Sequence, residues 1–530
     1  MAGDSNQMSF ARYQNNTAKW WLKDPGLRQN VLHCIGLYFA VFYLGYDASL
    51  LNGLQAMPQW KAYFNDPDSS YLGLISASLF LPAIVTPYIS SAINDQWGRK
   101  ASLAVGSVVL IAGAFVNAFA RNAGMFIAGR CLIGAAGPFG KITAVALLQE
   151  IAHPRLRAIL ASSFYCNYYV GSIVAAWFCY GSLHWGDTDD WAWRAPCLFQ
   201  ITAPIVVLLF LAVIPESPRW LVHHGKTDKA LSILAKYHAN GDQNDELVQY
   251  EYQEICAIIE LEEMNKKTRW IDFVKTAPNR RRLLVLLTMA TGTNWSGNGI
   301  ISYYLTPVLN LIGITNPAQI SGINGGLAVW NLILAYAGSL NAERLGRRKL
   351  WLISTIGMLA SYIVITGLSG SFAEHKKHAT GIAVIPMLFI FYGFYDFGWT
   401  PLPFSYGAEI LPYHMRLKGL GILLSVQSVA QAFNQWVNPV ALKSITWKYY
   451  IVYIALLCMY LALVVFFFPE TRGLTIEEVS LIFDTGRLGN ASAATAELQQ
   501  HAADMKVIQA EKQGSSVVHV EDKKSADVPA

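Results

Sequence analysis

Three short phrases occur twice in this chain in the same order, and this duplication constrains the fold more than any other feature. The two copies of each phrase lie roughly 250 residues apart. The paired phrases are Asp95–Lys100 with Glu343–Lys349, Glu150–Arg157 with Glu409–Arg416, and Pro215–Arg219 with Pro469–Arg472. We therefore expect two copies of one structural unit, each about half of the chain.

Composition places both units in a membrane. Of the 530 residues, 53% are hydrophobic and only 14% are charged, which is more apolar material than a soluble core of this size needs. Twelve apolar runs, called spans 1 to 12 below, are each long enough to cross a bilayer as a helix. They cover residues 31–55, 71–93, 101–120, 124–149, 157–180, 195–214, 283–311, 319–341, 350–370, 380–411, 417–440 and 449–468. The predicted fold class is an all-α integral membrane protein with six spans in each repeat.

The distribution of Lys and Arg predicts the orientation. Most basic residues of the short loops, including both Gly-Arg phrases, fall on one side of the twelve-span arrangement, which by the positive-inside rule is cytoplasmic. We expect a cytoplasmic N-terminal segment (1–30), two six-helix bundles (31–214 and 283–468) and a cytoplasmic linker with short amphipathic helices (215–282). The tail (469–530) should be cytoplasmic and disordered after about residue 485.

Other classes of function have no support in the sequence. The seven cysteines are scattered, without paired or metal-ligand spacing. No GxxxxGK[ST] phrase is present to bind a nucleotide. We expect no metal, no cofactor and no nucleic-acid partner, and neither an enzyme nor an ATP-driven pump.

The duplicated phrases predict a gate on the cytoplasmic side. Gly98 and Gly346 permit tight turns between spans, and charged residues cluster at the same level. A ring of ion pairs there would hold the halves together when the inner side is closed and part when it opens. The predicted gate residues are Asp95, Arg99, Glu150, Arg157, Glu216, Arg219, Glu343, Arg347, Glu409, Arg416, Glu470 and Arg472. One phrase alone would suggest topology-setting charges and turns, but three ordered repeats favour the gate.

These phrases, together with Gly45-Tyr46-Asp47 and Gly129-Arg130, resemble the sugar porter family of the major facilitator superfamily over residues 30–480. The segments Leu51–Trp60, Asn294–Tyr304 and Trp399–Pro403 are similar to the fungal lactose and cellodextrin permease branch. The resemblance implies the major facilitator fold and sugar transport across the plasma membrane by alternating access.

Asp47 and Arg130 form the predicted proton site. A carboxylate at membrane depth loses several kcal/mol of hydration unless it is paired or protonated. Counting about 1.5 Å per residue places both side chains roughly 9 Å below the outer surface, where they can meet. The resemblance supports proton coupling, because proton-coupled sugar porters carry Asp at the position matching Asp47. A purely structural ion pair remains the alternative.

Polar side chains on spans 5, 7, 10 and 11 form the predicted substrate site. Sugars are bound by amides and hydroxyls, with aromatic rings against their C–H faces. The candidate residues are Tyr165, Asn167, Ser172, Thr293, Asn294, Asn298, Tyr303, Tyr304, Phe404, Gln427, Gln431 and Asn434. Any of these amides could instead tie helices together. Three glycines in this part of span 7 also predict that the helix can bend or unwind there.

The predicted function is a monomeric, proton-coupled symporter that imports a disaccharide of the lactose or cellobiose type. Thr293-Asn294 replaces the longer glutamine pair of the monosaccharide members, which leaves room for the larger sugar. The alternatives are a transporter of a hexose, polyol or small secondary metabolite, and a sugar sensor without transport. Lys141 could hold an acidic group, form a second gate pair or, as we favour, line the inward cavity, whereas Asp396 has no assigned role.

Overall fold

The computed structural model of the protein describes residues 15–18, 20–186, 189–264, 270–376, 378–472, 479 and 482–483. Every regular element in these ranges is helical. The predicted disorder after about residue 485 lies outside the described residues, as do the first fourteen residues of the predicted N-terminal segment.

Each predicted span corresponds to one helix or to two consecutive helices. In order from span 1 to span 12 the helices are Pro25–Ala56; Ser69–Ala77 with Thr86–Trp97; Arg99–Ala118; Ala123–Pro138 with Val145–Ile151; Pro154–Ser182; Trp191–Phe199 with Thr202–Val213; Ala277–Trp295 with Asn298–Leu311; Pro317–Leu345; Arg347–His375; His378–Gly398 with Leu402–Ile410; Tyr413–Ile445; and Tyr449–Phe467.

Length and apolar composition single out ten stretches of the described chain as able to cross a membrane. One of them, Lys418–Phe467, contains both span 11 and span 12. Span 7 is not among the ten, because its two helices are shorter and rich in polar residues. The ten stretches and the twelve predicted spans are therefore consistent.

Span 1 begins six residues earlier than predicted. Pro25 occupies the first helical position, and the Asp24 carboxylate accepts a hydrogen bond from the Leu27 amide at 3.0 Å. Proline at this position and aspartate just before it are both favourable at a helix start. Residues 25–30, which the sequence placed in the N-terminal segment, therefore belong to the first helix.

Span 7 is broken at Ser296 and Gly297. Gly297 has a positive φ of 99°, which favours glycine, and its carbonyl accepts a hydrogen bond from the Tyr362 hydroxyl at 2.9 Å. The break lies within the polar stretch Thr293–Asn298, where bending was predicted. It exposes backbone groups to neighbouring side chains at the middle of the protein.

Two seams make the largest contacts between the halves: span 5 packs against span 8, and span 2 packs against span 11. Within the first half, spans 1 and 5 approach backbone to backbone, since a Cβ added at Gly45 would lie 1.7 Å from the Tyr168 carbonyl oxygen. The Gly-Arg turns and the linker lie at one end of the bundle, called the basic end below; the opposite end is called the far end.

Four short helices of the linker lie at the basic end: Pro218–His223, Thr227–His238, Glu246–Met264 and Asp272–Lys275. His238 contacts the turn between spans 4 and 5 through the Ile151 carbonyl oxygen, at 3.0 Å, and contacts Glu251 at 2.6 Å. Glu251 also pairs with Arg157 at 3.1 Å. The linker is thus anchored to the first bundle through buried polar contacts.

Candidate functional site

A cavity of about 310 Å³ lies between the two halves. Spans 1, 2, 4 and 5 of the first half and spans 7, 8, 10 and 11 of the second half form its wall. A cavity of this size is at the lower limit of the roughly 300–1,000 Å³ typical of small-molecule sites.

Nine of the twelve predicted substrate residues line this cavity. They are Tyr165, Ser172, Thr293, Asn294, Asn298, Tyr303, Phe404, Gln427 and Gln431. Contacts between their polar groups already connect spans 7 and 11: Gln427 donates to the Thr293 hydroxyl at 3.2 Å, and Gln431 donates to the Tyr303 hydroxyl at 3.0 Å. A ligand would bind next to amides and hydroxyls whose orientation is already set.

The other three predicted residues lie off the cavity wall and have structural partners. Asn167 donates to the Ser163 carbonyl of its own helix at 2.9 Å, and the Tyr304 hydroxyl donates to the Gln435 carbonyl at 2.6 Å. Asn434 donates to the Asn294 carbonyl at 2.8 Å, next to the break in span 7. All three side chains satisfy backbone groups, and those of Tyr304 and Asn434 join spans 7 and 11, which is the helix-tying role left open for individual residues.

Several wall residues were not predicted. Tyr168 and Tyr169 on span 5 and Tyr392, Tyr395 and Trp399 on span 10 give the cavity an aromatic lining. On span 10 the spacing of three and four residues, seven from Tyr392 to Trp399, places the three rings on one face of the helix, a signal that the sequence contains. On span 5, Tyr168 and Tyr169 are adjacent and follow the predicted Tyr165 by three and four residues.

Asp47 and Arg130 lie together in the first half. The Arg130 Nη1 and Asp47 Oδ1 atoms are 3.4 Å apart, and both side chains are buried, with 1% and 3% exposed. Arg130 also donates from Nε to the Ile75 carbonyl at 3.0 Å. Gln200 on span 6 donates to the same Asp47 oxygen at 2.9 Å, a contact that the sequence analysis missed although Gln200 is a lone amide in an apolar run.

The second oxygen of Asp47, Oδ2, accepts no hydrogen bond from any residue that the structure describes. Asp47 also contributes to the cavity wall. The carboxylate therefore has one oxygen held by Arg130 and Gln200 and one buried oxygen that has no hydrogen-bond partner among the described residues.

Lys141 lines the same cavity from a π-helical turn, Phe139–Ala144, that follows Pro138 in span 4. Its Nζ atom lies 5.3 Å from the centre of the Phe404 ring. Phe404 in turn stacks on Tyr165, with ring centres 5.7 Å apart and an interplanar angle of 2°. Phe404 thus joins the second half to Lys141 and Tyr165 of the first.

The predicted gate residues of the first half interact with one another. Arg99 binds both oxygens of Glu150, at 3.0 and 3.1 Å. Glu216 accepts from the backbone amides of Arg99 and Lys100 at 3.1 and 3.2 Å, directly after Gly98. A carboxylate in this position stabilises the start of span 3.

The second half repeats this arrangement. Arg347 pairs with Glu409 at 3.1 Å, and Glu470 accepts from the amides of Arg347 and Arg348 at 2.9 and 3.2 Å, directly after Gly346. The duplicated phrases therefore build the same turn and the same pair of carboxylate contacts twice.

The ion pairs Arg99–Glu150 and Arg347–Glu409 each lie within one half of the protein, and Arg157 pairs with Glu251 of the linker. None of these three pairs joins one half to the other. Asp95 and Arg472 are exposed at the basic end. Arg219 and Arg416 have partners there as well. The Glu343 side chain lies outside the described residues.

At the far end, span 1 is tied to span 7. Asn52 donates to the Ser302 carbonyl, and its own side-chain oxygen accepts from the Leu305 amide at 3.4 Å. Gln55 donates to the Tyr303 carbonyl at 2.9 Å. The halves are therefore closed by hydrogen bonds at the far end, and the described ion pairs at the basic end stay within each half or join it to the linker.

Comparison with known proteins identifies the family. The family model described as sugar (and other) transporter matches residues 33–483, which is most of the chain. The chain belongs to this sugar transporter family. The protein is accordingly a multi-pass membrane transporter of the major facilitator type, and not an enzyme.

Individual relatives are distant. A high-affinity glucose transporter of Kluyveromyces lactis is 28% identical over 459 residues, covering 82% of this chain and 81% of that protein. The MFS-type transporter criB of Aspergillus cristatus is 27% identical over 446 residues, covering 84% and 91%.

Among solved structures, the xylose transporter XylE from E. coli, in a partially occluded inward open conformation, matches with a TM-score of 0.70. The sequence identity is 20%, and the match covers 83% of this chain and 98% of that one. At this identity the likeness establishes the fold.

Proposed function

We propose that this protein is a proton-coupled symporter that imports a disaccharide, of the lactose or cellobiose type, across the plasma membrane. The observation that carries the proposal is the cavity between the halves, where amides, hydroxyls and aromatic rings converge beside a buried carboxylate–arginine pair. Both termini would lie in the cytoplasm, and the protein would act as a monomer on a sugar and a proton.

The wall chemistry supports a sugar as the cargo. Thr293, Asn294, Gln427 and Gln431 can donate to and accept from ring hydroxyls, and Trp399 can cover an apolar sugar face. The short side chains of Thr293 and Asn294 favour a disaccharide over a hexose. The similarity to the fungal lactose and cellodextrin permease branch supports the same choice.

The Asp47 site supports proton coupling. An ionised Asp47 is stabilised by Arg130 and Gln200, and its buried Oδ2, which accepts no hydrogen bond from the described residues, would take up a proton without displacing a protein donor. Protonation would remove the attraction to Arg130 and change the relative stability of the two transport states.

The contacts at the two ends of the protein support alternating access. With the basic end taken as cytoplasmic, the ties of Asn52 and Gln55 close the outer side, and the gate pairs Arg99–Glu150 and Arg347–Glu409 each stay within one half. We propose that this arrangement is the inward-facing state, and that residues such as Arg99 and Arg347 change partners when the inner side closes.

A small secondary metabolite is the second candidate cargo. The aromatic lining from Tyr168, Tyr169, Tyr392 and Tyr395 would also suit a planar apolar molecule. The relative criB is described only as an MFS-type transporter, so it does not decide between the two.

Uptake measurements test the proposal. The protein would be expressed in a yeast that lacks sugar carriers and supplied with labelled lactose, cellobiose, glucose and a polyol, with and without a protonophore. We expect accumulation of a disaccharide that the protonophore abolishes. If no sugar is taken up, the transport proposal is wrong.

The variant Asp47→Asn separates transport from coupling. We expect it to exchange sugar down a gradient but to lose accumulation against one. Accumulation equal to that of the unaltered protein would remove the proton role of Asp47 while leaving sugar transport intact. The control is Asn167→Ala, which removes a side chain that lies off the cavity wall and is bonded within its own helix.

A further inference from the structure

Asp396 is a second carboxylate buried at the middle of the protein. Its side chain is fully buried, near the end of the first helix of span 10, His378–Gly398, and fourteen residues before span 10 ends at Ile410. The cavity wall does not include it, but Tyr169, Thr400 and Asn331, which do line the cavity, surround it.

Among the described residues, the groups that donate hydrogen bonds to Asp396 are all neutral. The Tyr169 hydroxyl donates to Oδ1, and the Thr400 hydroxyl donates to the same oxygen at 2.8 Å. In the amide orientation that satisfies both of its atoms, Asn331 donates to Oδ2 at 3.3 Å. These three donors can stabilise an ionised carboxylate, which would otherwise lose several kcal/mol of hydration at this depth.

Within the described chain, no nitrogen of Lys, Arg or His lies within 4 Å of this carboxylate. The titratable groups that face it are Cys166 and Tyr169 on span 5 and Tyr392 and Tyr395 on span 10 itself. Span 8 presents the neutral Asn331. The protonation state of Asp396 therefore depends on hydrogen-bond donors and not on an ion pair.

The donors of Asp396 come from both halves, and this distinguishes it from Asp47. Arg130 and Gln200, which hold Asp47, belong to the first half with it. Tyr169 belongs to the first half, whereas Asp396, Thr400 and Asn331 belong to the second. If the halves rock as rigid units, Asp47 keeps Arg130 and Gln200 and only its access to cavity water changes, whereas Asp396 loses its partner Tyr169.

We propose that Asp396 is a second proton-binding site, ionised while Tyr169 donates to it and protonated when the two halves part along the span 5–span 8 seam. A group whose surroundings differ between two states binds protons differently in them, and it must therefore couple protonation to the change of state. The inference rests on the proposed transport by alternating access, but proton binding itself can be measured without a substrate.

The proton balance is simple. Water in the cavity delivers a proton to a carboxylate oxygen of Asp396 when Tyr169 withdraws, and the proton returns to cavity water when Tyr169 donates again. One O–H bond forms and later breaks, and no other bond changes. Transport would move this proton in the same direction as the one on Asp47, because both sites open to the same cavity in turn.

Infrared difference spectra of the purified full-length protein in lipid test the site directly. Acidic minus alkaline spectra report carboxyl groups through the C=O stretch of the protonated form. Because the other Asp and Glu side chains contribute to both spectra, the spectrum of the double variant Asp47→Asn with Asp396→Asn is subtracted from that of Asp47→Asn, and we expect the C=O band of Asp396 to remain. No remaining band would overturn the proposal, and this result does not depend on whether a sugar is transported.

Counterflow of sugar, measured without a proton gradient, gives the functional readout. We expect its rate to stay pH-dependent in Asp47→Asn and to become pH-independent in the double variant. Tyr169→Phe removes the donor that crosses between the halves and should displace the midpoint of the profile in the Asp47→Asn background. The matched control is Tyr38→Phe, whose hydroxyl donates to the Leu160 carbonyl of the first half at 2.9 Å and is not among the groups that face Asp396, and it should leave the midpoint unchanged.

If Tyr169→Phe leaves the midpoint where Tyr38→Phe leaves it, the seam does not control the proton on Asp396. An unfolded Asp396→Asn would be recognised by loss of the protein from the membrane fraction. The Tyr169→Phe comparison then decides the proposal by itself. Absence of counterflow in the unaltered protein would instead count against the proposed transport function, while the infrared result would still decide the proton site.

Discussion

At the scale of single residues, His153 shows how burial determines a protonation state outside the membrane. It precedes span 5, its side chain is 3% exposed, and its Nδ1 atom accepts a hydrogen bond from the Arg155 amide at 3.2 Å. Burial lowers the pKa of His153 to about 2, and the nearby His238, Arg155 and Arg157 act in the same direction, opposed only by Asp24. The folded protein therefore keeps this ring neutral.

Acid should destabilise the protein through His153. The folded-state pKa lies below the ordinary value of 6.5, so only the unfolded chain takes up the proton, and stability falls as the pH drops below that value. Between about pH 7.5 and about pH 5.5 the unaltered protein should lose about 1.4 kcal/mol more free energy of unfolding than His153→Asn, in which a neutral amide can cap the helix. Denaturant unfolding in detergent at both pH values measures this difference, and equal losses would contradict it.

The contacts of a residue could be predicted where burying its side chain without a partner would cost much free energy. Asp47 and Arg130 could be paired from the sequence because charges at the same depth need partners. Gln200 was missed because burying an uncharged amide costs less free energy than burying a charge, so the sequence alone does not show that Gln200 needs a partner. Asn434 and Tyr304 were assigned to the cavity because helical spacing gives a face but does not say which neighbour covers it.

At the scale of helices, the duplicated phrases form the same turn and helix start in both halves. Gly98 and Gly346 have φ of 92° and 93°, and a Cβ added at either would lie 2.6 or 2.7 Å from the carboxylate of Glu216 or Glu470. Glycine is required both by the backbone angle and by the close carboxylate. The two turns are therefore equivalent in structure as well as in sequence.

Gly98→Ala and Gly346→Ala should each destabilise the protein by about 1–3 kcal/mol, since each combines a strained backbone angle with a displaced helix cap. Thermal unfolding in detergent and the amount of protein in the membrane measure the effect. Gly367→Ala is the matched control, because its added Cβ would have no neighbour within 4 Å and it lies inside the helix of span 9. A loss in only one of the two turns would show that the copies are not equivalent.

The break in span 7 should be equally sensitive. Gly297 has a φ of 99°, and a Cβ added there would lie 2.3 Å from the Tyr362 hydroxyl oxygen. We expect Gly297→Ala to reduce uptake at least tenfold. The added Cβ would strain the backbone by about 1–3 kcal/mol, and the turn beside Asn294 and Asn298 would move to relieve that strain. Gly326→Ala on span 8, where the nearest atom would be 3.6 Å away, should retain uptake. Similar rates for the two variants would contradict this.

Helix positions were largely predictable, and helix ends were not. Apolar runs gave twelve spans because a bilayer fixes the length that a helix must cover. The start of span 1 at Pro25 was missed, since Asp24 and Pro25 act through local capping and not through hydrophobicity. Breaks such as the one at Gly297 depend on partners such as Tyr362 from another span.

At the scale of the whole molecule, the two halves have the same framework but differ at the positions that bind. The repeated pairs Arg99–Glu150 and Arg347–Glu409 could be expected from the phrases, because both lie within one half. Contacts between the halves, such as Tyr169 with Asp396 and Asn52 with span 7, join residues about 230–250 positions apart. No periodicity within a sequence predicts them, because they depend on how two finished bundles dock.

The far-end tie gives a test of the balance between the two transport states. Asn52→Leu removes two side-chain hydrogen bonds to span 7, each worth about 0.5–1.5 kcal/mol, so the population with an open far end should rise about tenfold. A cysteine at Ser49, a buried residue of the cavity wall, would report this as about tenfold faster modification by a membrane-impermeant thiol reagent applied outside. Gln59→Leu is the control, because Gln59 bonds only to carbonyls of its own half, Leu183 and Gly186. Equal acceleration in both variants would mean that loss of any amide loosens the protein, and that Asn52 does not hold the far end closed.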